Sequence, residues 1–402
     1  MRRQNYIFSS ESVAEGHPDK VCDIISDSVV DACLSVDPFA RAACEVMATT
    51  NRVIIAGEFR GAEEVWNTDL IDQIVRSCVR DIGYEQEGFH WRKLEIQKYV
   101  HGQSDDIANC VGTTGLATGA GDQGIMFGYA VRQTDLLMPA AIYYAHEVLR
   151  IISIARRAGK LLCFGPDAKS QITLRYERGM PVEVMAVVMS IQCFDESLTS
   201  SDIRGIVEPY IREVLPKEML TLRTRWHINE GGRFVVGGPD GETGLTGRKI
   251  VVDTYGGAAP HGGGCFSGKD PSKVDRSAAY MARYLAKNIV EAGMAEECCV
   301  QLSYIIGGDA PVSIHVDTYG TGIVAEHQLE NFIISEIDLS PVGIQDHLSL
   351  ACPIYRRTAS YGHFGREVGN DGAFSWEKTD LVDLLKNAPL DSCSTKILSS
   401  VG

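Results

Sequence analysis

The chain has 402 residues, of which 45% are hydrophobic and 23% charged, with a formal net charge of −15. This composition excludes a disordered or low-complexity chain, provides core for two or three domains, and argues against non-specific nucleic-acid binding through overall charge. No apolar window reaches the length of a membrane span, Met1-Arg2-Arg3-Gln4-Asn5 lacks the apolar run of a signal peptide, and the twelve cysteines show no C-x-x-C spacing, so a cytoplasmic protein with reduced thiols is expected.

In chain order, Ser12-Val13-Ala14-Glu15-Gly16-His17-Pro18-Asp19-Lys20 leads into a helix over Lys20–Val36. Pro18 suits a first helical position and Asp19 the first turn. Two readings stand: a capped helix with Asp19 complementing the dipole, or His17 on a phosphate with Asp19 on Mg²⁺. Strands are expected over Ala42–Thr50 and Val53–Arg60, about Thr50-Asn51-Arg52, and they carry Glu45 and Glu58. Glu45 lies among apolar neighbours, so it calls for a cross-strand cation or a metal. A helix over Glu64–Ile82 and a strand over Leu94–Val100 follow. Gln103–Thr118 is aperiodic, contains Gly112 and Gly115, and is expected to be a mobile lid. Gly119-Ala120-Gly121-Asp122-Gln123-Gly124 matches G-x-G-x-x-G, but no strand is expected before it and no acidic residue closes a βαβ unit, which argues against a dinucleotide fold.

Helices are expected over Leu137–Ala158 and Thr199–Val214, with a hairpin of Gln171–Tyr176 and Val182–Gln192 about Arg178-Gly179. Gly165-Pro166-Asp167-Ala168-Lys169-Ser170-Gln171 reads as a surface turn, or as a site where Asp167 accepts from a ribose or base and Lys169 meets phosphate. Glycine-rich Gly231–Gly247 suits a domain boundary, and Arg248 and Lys249 precede a strand expected over Lys249–Tyr255. The most informative stretch is His261–Arg276, where glycines give way to Asp270-Pro271, read as an N-cap and first helical residue. Val274, Ala278, Met281, Leu285 and Ile289 continue that helix to Ala292. Lys269, Lys273 and Arg276 at its positive end call for an anion, and Asp275 adds a carboxylate suited to Mg²⁺. Gly263-x-x-x-x-Gly268-Lys269 nearly matches a P-loop, but Asp270 replaces the metal-binding Ser or Thr and no strand directly precedes the loop.

Strands over Cys299–Ile306 and Val312–Thr318 and a helix over Glu326–Ile337 complete the pattern. Val252-Asp253-Thr254-Tyr255-Gly256 echoes Val316-Asp317-Thr318-Tyr319-Gly320 as a strand end. Strand-strand-helix groups recur, which points to an α+β chain of similar modules with mixed sheets. His17, Lys169, Arg248, Lys249, Lys269 and Lys273 all flank turns or glycine loops in an acidic chain, which suggests a nucleotide triphosphate with its metal. No nucleophile–base signature accompanies them.

Gly16-His17-Pro18-Asp19-Lys20, Gly119–Gly124, Pro166–Gln171 and Gly263-Gly264-Cys265-Phe266-Ser267-Gly268-Lys269-Asp270, in this order, resemble the motifs of the S-adenosylmethionine synthetase (methionine adenosyltransferase) family. The resemblance runs from about Phe8 to Asp380. It implies an α+β fold of three similar intertwined α/β-sandwich-like domains with pseudo-threefold symmetry and mixed sheets, over 1–118, 119–238 and 239–402, with 103–118 as the gating loop. It implies a homotetramer, a dimer of dimers with sites at the dimer interface, that takes ATP and L-methionine and contacts neither nucleic acid nor membrane. Methionine sulfur would attack C5′ of ATP, and the expelled triphosphate would be hydrolysed to phosphate and diphosphate. The implied cofactors are two Mg²⁺ per site, on Asp19 and Asp275, and K⁺ at Glu45. The implied catalytic residues are His17, Lys169, Arg248 and Lys269. ATP contacts would come from these four and from Asp122, Asp167, Arg233, Phe234, Glu242, Lys249 and Cys265. Methionine contacts would come from Glu58, Gln103, Glu242 and Lys273. Two positions depart from the family pattern: Glu242 stands where the family usually has Asp, and Cys265 where it usually has Ala. Glu242 is expected to keep the substrate-binding role. The competing readings are a P-loop-like kinase or ATPase and a nucleotide-sensing tetramer without turnover.

Overall fold

The computed structural model describes residues 5–103 and 119–390. The first run of elements is β1 (Tyr6–Val13), α1 (Pro18–Val36), β2 (Arg41–Thr49), β3 (Arg52–Arg60), α2 (Leu70–Ile82) and β4 (Glu95–Gly102). The second is β5 (Gly124–Val131), α3 (Ala140–Arg157), β6 (Phe164–Glu177), β7 (Met180–Cys193), α4 (Ser200–Val214) and β8 (Arg225–Ile228). The third is β9 (Gly244–Leu245), α5 (Val274–Glu291), β10 (Glu297–Tyr304), β11 (Ser313–Asp317) and α6 (Glu326–Glu336). Each run therefore repeats a leading strand, a central helix, a hairpin and an outer helix. The first two add a strand parallel to the hairpin, β4 beside β3 and β8 beside β7.

The leading strands do not stay in their own sheets. β1 pairs antiparallel with β6 of the second run, β5 with β10 of the third, and β9 with β2 of the first. The sheet orders are β1-β6-β7-β8, β9-β2-β3-β4 and β11-β10-β5. The architecture is thus α+β with mixed sheets, and its three runs are interlocked in a cycle. One apolar core joins the first and third runs, and a second fills the middle run. Helix α5 lies inside: 16 of its 18 residues are buried, including Arg276, Arg283 and Lys287. These cations are tolerated because Asp27 pairs with the first and Glu377 with the other two. Gly128 of β5 permits this depth, since a Cβ there would stand 1.9 Å from the carbonyl carbon of Ala282 in α5.

The turn between β6 and β7 places Arg178 and Gly179 both at positive φ, 52° and 78°, as a two-residue hairpin that twists with its strands requires. Other expectations need correction. Lys249–Tyr255 is not a strand: despite its β-branched residues, Ile250–Asp253 form one helical turn, and Asp253 is drawn inward to pair with buried Lys20. The echo at 252–256 and 316–320 therefore joins a helical turn to a strand end. Glu64–Ile82 is broken into Glu63–Trp66 and α2. Asp270 does not cap α5, whose N-cap is Lys273. Its carboxylate serves Ala42 N–H (2.7 Å) and Ser272 N–H (2.8 Å) instead. Strand β1 escapes the sequence pattern because its buried face carries Ser10 and Ser12, which bond Gly256 O (2.7 Å) and His146 Nδ1 (2.7 Å). The lid expected over 103–118 lies, apart from Gln103, outside the described residues.

Candidate active site

The start of α1 is built as its sequence suggests. Pro18 occupies the first helical position, and His17 is the N-cap, its Nδ1 accepting from Asp19 N–H at 3.2 Å. That bond leaves the ring proton on Nε2. Burial, helped by Lys249, lowers the His17 pKa to about 3, so the ring is neutral at physiological pH. The 3.9 Å approach of His17 to the Asp19 carboxylate is therefore not an ion pair. His17 is a neutral donor, not one of the loop cations. Asp19 is filled on both oxygens: Oδ1 accepts from Leu245 N–H (3.0 Å) and Oδ2 from Lys249 Nζ (2.5 Å). Burial works against its charge, but Lys249 and the Leu245 N–H outweigh it and hold the carboxyl below the usual range.

Asp167 and Lys169 stand not in a turn but in β6, where Asp167 lies in an irregular stretch between Phe164 and Ala168. They line a cavity of 360 Å³ with Arg233, Phe234, Gly238 and Glu242. Asp167 Oδ2 accepts from Gly238 N–H at 2.8 Å, whereas Oδ1 is buried without a partner. An orphaned buried carboxylate oxygen suits a ligand hydroxyl or amino donor. Burial raises the Asp167 carboxyl to about 6, against the pull of Gly238 N–H and Lys169, with Glu242 adding to the rise. Its unfolded value is about 3.9. The stability this group contributes is therefore complete below pH 4 and lost as pH rises through 6. In ligand-free protein, Asp167→Asn should gain on the parent between pH 4 and pH 8 by on the order of 2 kcal/mol, read from urea midpoints. A difference that does not grow with pH would show that the native carboxyl is not held high.

Glu242, the departure from the family pattern, is exposed and lines the same cavity. Arg233 is exposed and paired with Glu196. Arg248 is exposed.

The second group gathers at the glycine loop. Lys269 Nζ meets Asp275 Oδ2 at 2.6 Å, and Lys273 pairs with Asp270. Gly264 must lack a side chain, because a Cβ would come within 2.5 Å of the Asp275 carboxylate. Cys265 fills the space against Gly247, and burial raises its thiol pKa. Lys269 also bridges to Ala43 of β2, beside which Glu45 and Glu58 lie on the outer face of the sheet. Glu45 is exposed, which corrects the expectation of a buried charge. The recess it occupies still raises its carboxyl, chiefly by burial, with Lys269 opposing and Asp23 and Glu58 adding. Glu58 approaches His101 at 3.6 Å, and Gln103 has a buried Oε1 without a partner. Asp122 is exposed, its carboxylate turned back to Gln123 N–H (2.7 Å), and it does not line the cavity around Asp167.

Helix α1 is tied to the loops at Gly247 and Gly268 by residues that the motif reading overlooks. Asp23 Oδ1 accepts from Gly247 N–H (2.8 Å), and Asp27 Oδ1 from Gly268 N–H (2.9 Å). The signal was present as a four-residue spacing, Asp19, Asp23, Asp27 and Asp31. Among the described residues, no three His, Cys, Asp or Glu side chains converge to hold a metal alone. Single carboxylates held by lysines, as Asp19 and Asp275 are, fit Mg²⁺ once the lysines turn to substrate, because Mg²⁺ keeps waters and takes much of its shell from substrate phosphates.

Three family models match the chain in order: S-adenosylmethionine synthetase N-terminal domain over 5–105, central domain over 117–234 and C-terminal domain over 236–378. The chain is 59% identical over 397 residues to an S-adenosylmethionine synthase of Rhodopseudomonas palustris (strain HaA2), covering 96% of this chain and 100% of that one. It is 60% identical over 391 residues to one from Methylobacterium sp. (strain 4-46), with the same coverage. It is 59% identical over 389 residues to one from Paracoccus denitrificans, covering 96% of this chain and 99% of that one.

Proposed function

Because the chain belongs to the S-adenosylmethionine synthetase family, we propose that it is a methionine adenosyltransferase, making S-adenosylmethionine from ATP and methionine and then hydrolysing the released triphosphate to phosphate and diphosphate. The observation that carries this reading is the pair of lysine–carboxylate contacts at glycine-rich loops, Lys249 with Asp19 and Lys269 with Asp275, beside a neutral histidine donor.

A thioether has no proton to lose, so its attack on C5′ needs no general base. The task is in-line positioning and stabilisation of the leaving triphosphate. Lys249 and Lys269 turn from their carboxylates to phosphate oxygens when the polyphosphate enters, and His17 Nε2–H donates to another. Asp19 and Asp275, released from lysine, are the residues that would hold Mg²⁺, which supplies charge neutralisation to the phosphates. The free Oδ1 of Asp167 takes a donor from the nucleoside, while Glu58, Gln103 and Lys273 serve methionine. K⁺ suits Glu45, where Asp23 and Glu58 add negative charge and Lys269 alone opposes it.

The active unit in this reading is a homotetramer of two dimers, with sites between subunits. Its support is the outer face of the β9-β2-β3-β4 sheet, where half-buried Met47 and Ile54 and exposed Tyr99 and Leu245 surround Glu45 and Glu58. A cytoplasmic location is supported by the ten described cysteines, all free thiols. Among the described residues no helix is long and apolar enough to cross a membrane. The test is incubation with ATP, methionine, Mg²⁺ and K⁺ followed by mass spectrometry. S-adenosylmethionine, phosphate and diphosphate are expected together; ADP with methionine untouched would overturn the reading.

A further inference from the structure

Helix α1 presents Asp19, Asp23, Asp27 and Asp31 at intervals of about one turn. Each accepts backbone N–H groups from a different point of the third run or of the segment that follows it: Leu245 (3.0 Å), Gly247 (2.8 Å), Gly268 (2.9 Å), and Tyr355 with Arg356 (2.8 Å each). Like charges four residues apart destabilise a helix, so this row does not serve the helix itself.

Asp27 makes the strongest connection. It is fully buried and forms a two-pronged pair with fully buried Arg276, Oδ1–Nη1 at 2.7 Å and Oδ2–Nη2 at 2.9 Å. The same Nη1 donates to the Lys269 carbonyl at 2.8 Å. One ion pair thus grips the N–H of Gly268 and the C=O of Lys269. Arg276 also follows Asp275 directly on α5, so both members of the Lys269–Asp275 contact are adjacent to the grip. A buried pair of this kind adds little net stability over apolar packing of the same shape, whereas its directional bonds fix register.

We propose that Asp27 and Arg276 are positioning residues for adenosyl transfer. They hold Lys269 and Asp275 in register with α1, and so with His17 and Asp19 at its start. The inference rests on the functional reading above.

The test compares Asp27→Asn, Asp27→Glu and the double variant Asp27→Leu/Arg276→Met with the parent. The double variant removes both charges and leaves neither uncompensated. Glu183→Gln is the control, because it removes a buried, ion-paired carboxylate of the middle run, on β7, which pairs with Arg175 and Arg223 and not with α1 or α5. The readouts are kcat, KM for methionine, thermal midpoint, and calorimetric binding of inorganic tripolyphosphate with Mg²⁺.

The expected result is a fall in kcat of roughly 10- to 100-fold and a similar weakening of tripolyphosphate binding in Asp27→Asn and in the double variant. KM for methionine should stay within about threefold, and Asp27→Glu should recover part of the loss. Glu183→Gln should lower the thermal midpoint but leave kcat within about twofold. A folded double variant with parental kcat and parental tripolyphosphate affinity would overturn the proposal. So would a Glu183→Gln variant that loses as much kcat as Asp27→Asn, or failure of both charge-removing Asp27 variants to fold, which would make the pair a requirement of folding. A parent that binds Mg²⁺ and tripolyphosphate but makes no S-adenosylmethionine would defeat the functional reading instead.

Discussion

Lys269→Met is expected to lower kcat/KM for ATP by about 10²- to 10³-fold while leaving the fold intact. The Lys269 side chain is only 19% exposed, and its ammonium meets the Asp275 carboxylate at 2.6 Å. Methionine matches its length but cannot donate to a phosphate oxygen, and it leaves Asp275 without a counter-charge in the free enzyme. Lys269→Arg should recover little, because the planar guanidinium fork demands a geometry that the loop at Gly268 does not offer. Gly268 itself has φ +86°, and a Cβ there would come within 2.2 Å of Cys44 O, so the loop has little room to yield. Asp275→Asn should give a loss of the same order. Because the two side chains act as a unit, Lys269→Met/Asp275→Asn should lose far less than the product of the single effects. Steady-state kinetics on the three variants decide the point: parental activity in Lys269→Met removes this residue from the reaction.

The largest expected effect on stability lies away from the site, at Glu377. This carboxylate is fully buried and accepts from Arg283 Nε (3.1 Å) and Nη2 (3.0 Å), Lys287 Nζ (2.8 Å) and Gly365 N–H (2.7 Å). Burial opposes its ionisation, but Arg283 and Lys287 outweigh that and hold its pKa below the usual carboxylate range. The contribution of the charge is therefore present at neutral pH and lost as pH falls through that depressed value. Glu377→Gln preserves the shape and leaves two cations on α5 without a counter-charge, which should cost about 3–5 kcal/mol. A chain of interlocked runs need not unfold in one step, so the measurement is the urea midpoint together with the half-life at a fixed elevated temperature. Unchanged values for both would show that α5 does not depend on this cluster.

Much of this is legible in the sequence wherever the determinant is local. His17 and Asp19 can be placed because a proline at the first helical position fixes the geometry around it, and Lys269 and Asp275 because the glycines and the helix follow each other directly. Asp23 and Asp27 are not legible as site residues, since what they hold lies more than two hundred residues away in the chain. The same limit explains Ile250–Val252, where the β-branched residues argue for a strand and the buried Lys20 that captures Asp253 decides for a turn. Glu45 shows a different limit: Cys44 and Val46 beside it point to the other side of the sheet, whereas Ala43 and Met47 share its half-buried outer face. Of the residues the resemblance singles out, Asp167, Lys169, Arg233, Phe234 and Glu242 line one cavity while Cys265, Lys269 and Asp275 gather at the glycine loop, a division that linear motifs do not reveal.

The cyclic exchange of leading strands bears on how this chain is made. On the ribosome, β1 emerges long before its partner, since Ser12 pairs with Ser170. The first run then waits longer, because the edge of β2 at Met47 is completed only by Leu245. Until that segment has left the exit tunnel, β2 offers an open edge to any neighbouring nascent chain, the situation in which strands pair with the wrong partner. Synthesis of this protein therefore has a window of exposure that closes only when the third run arrives, and chaperone demand should be greatest while residues before Gly244 are the last to have emerged.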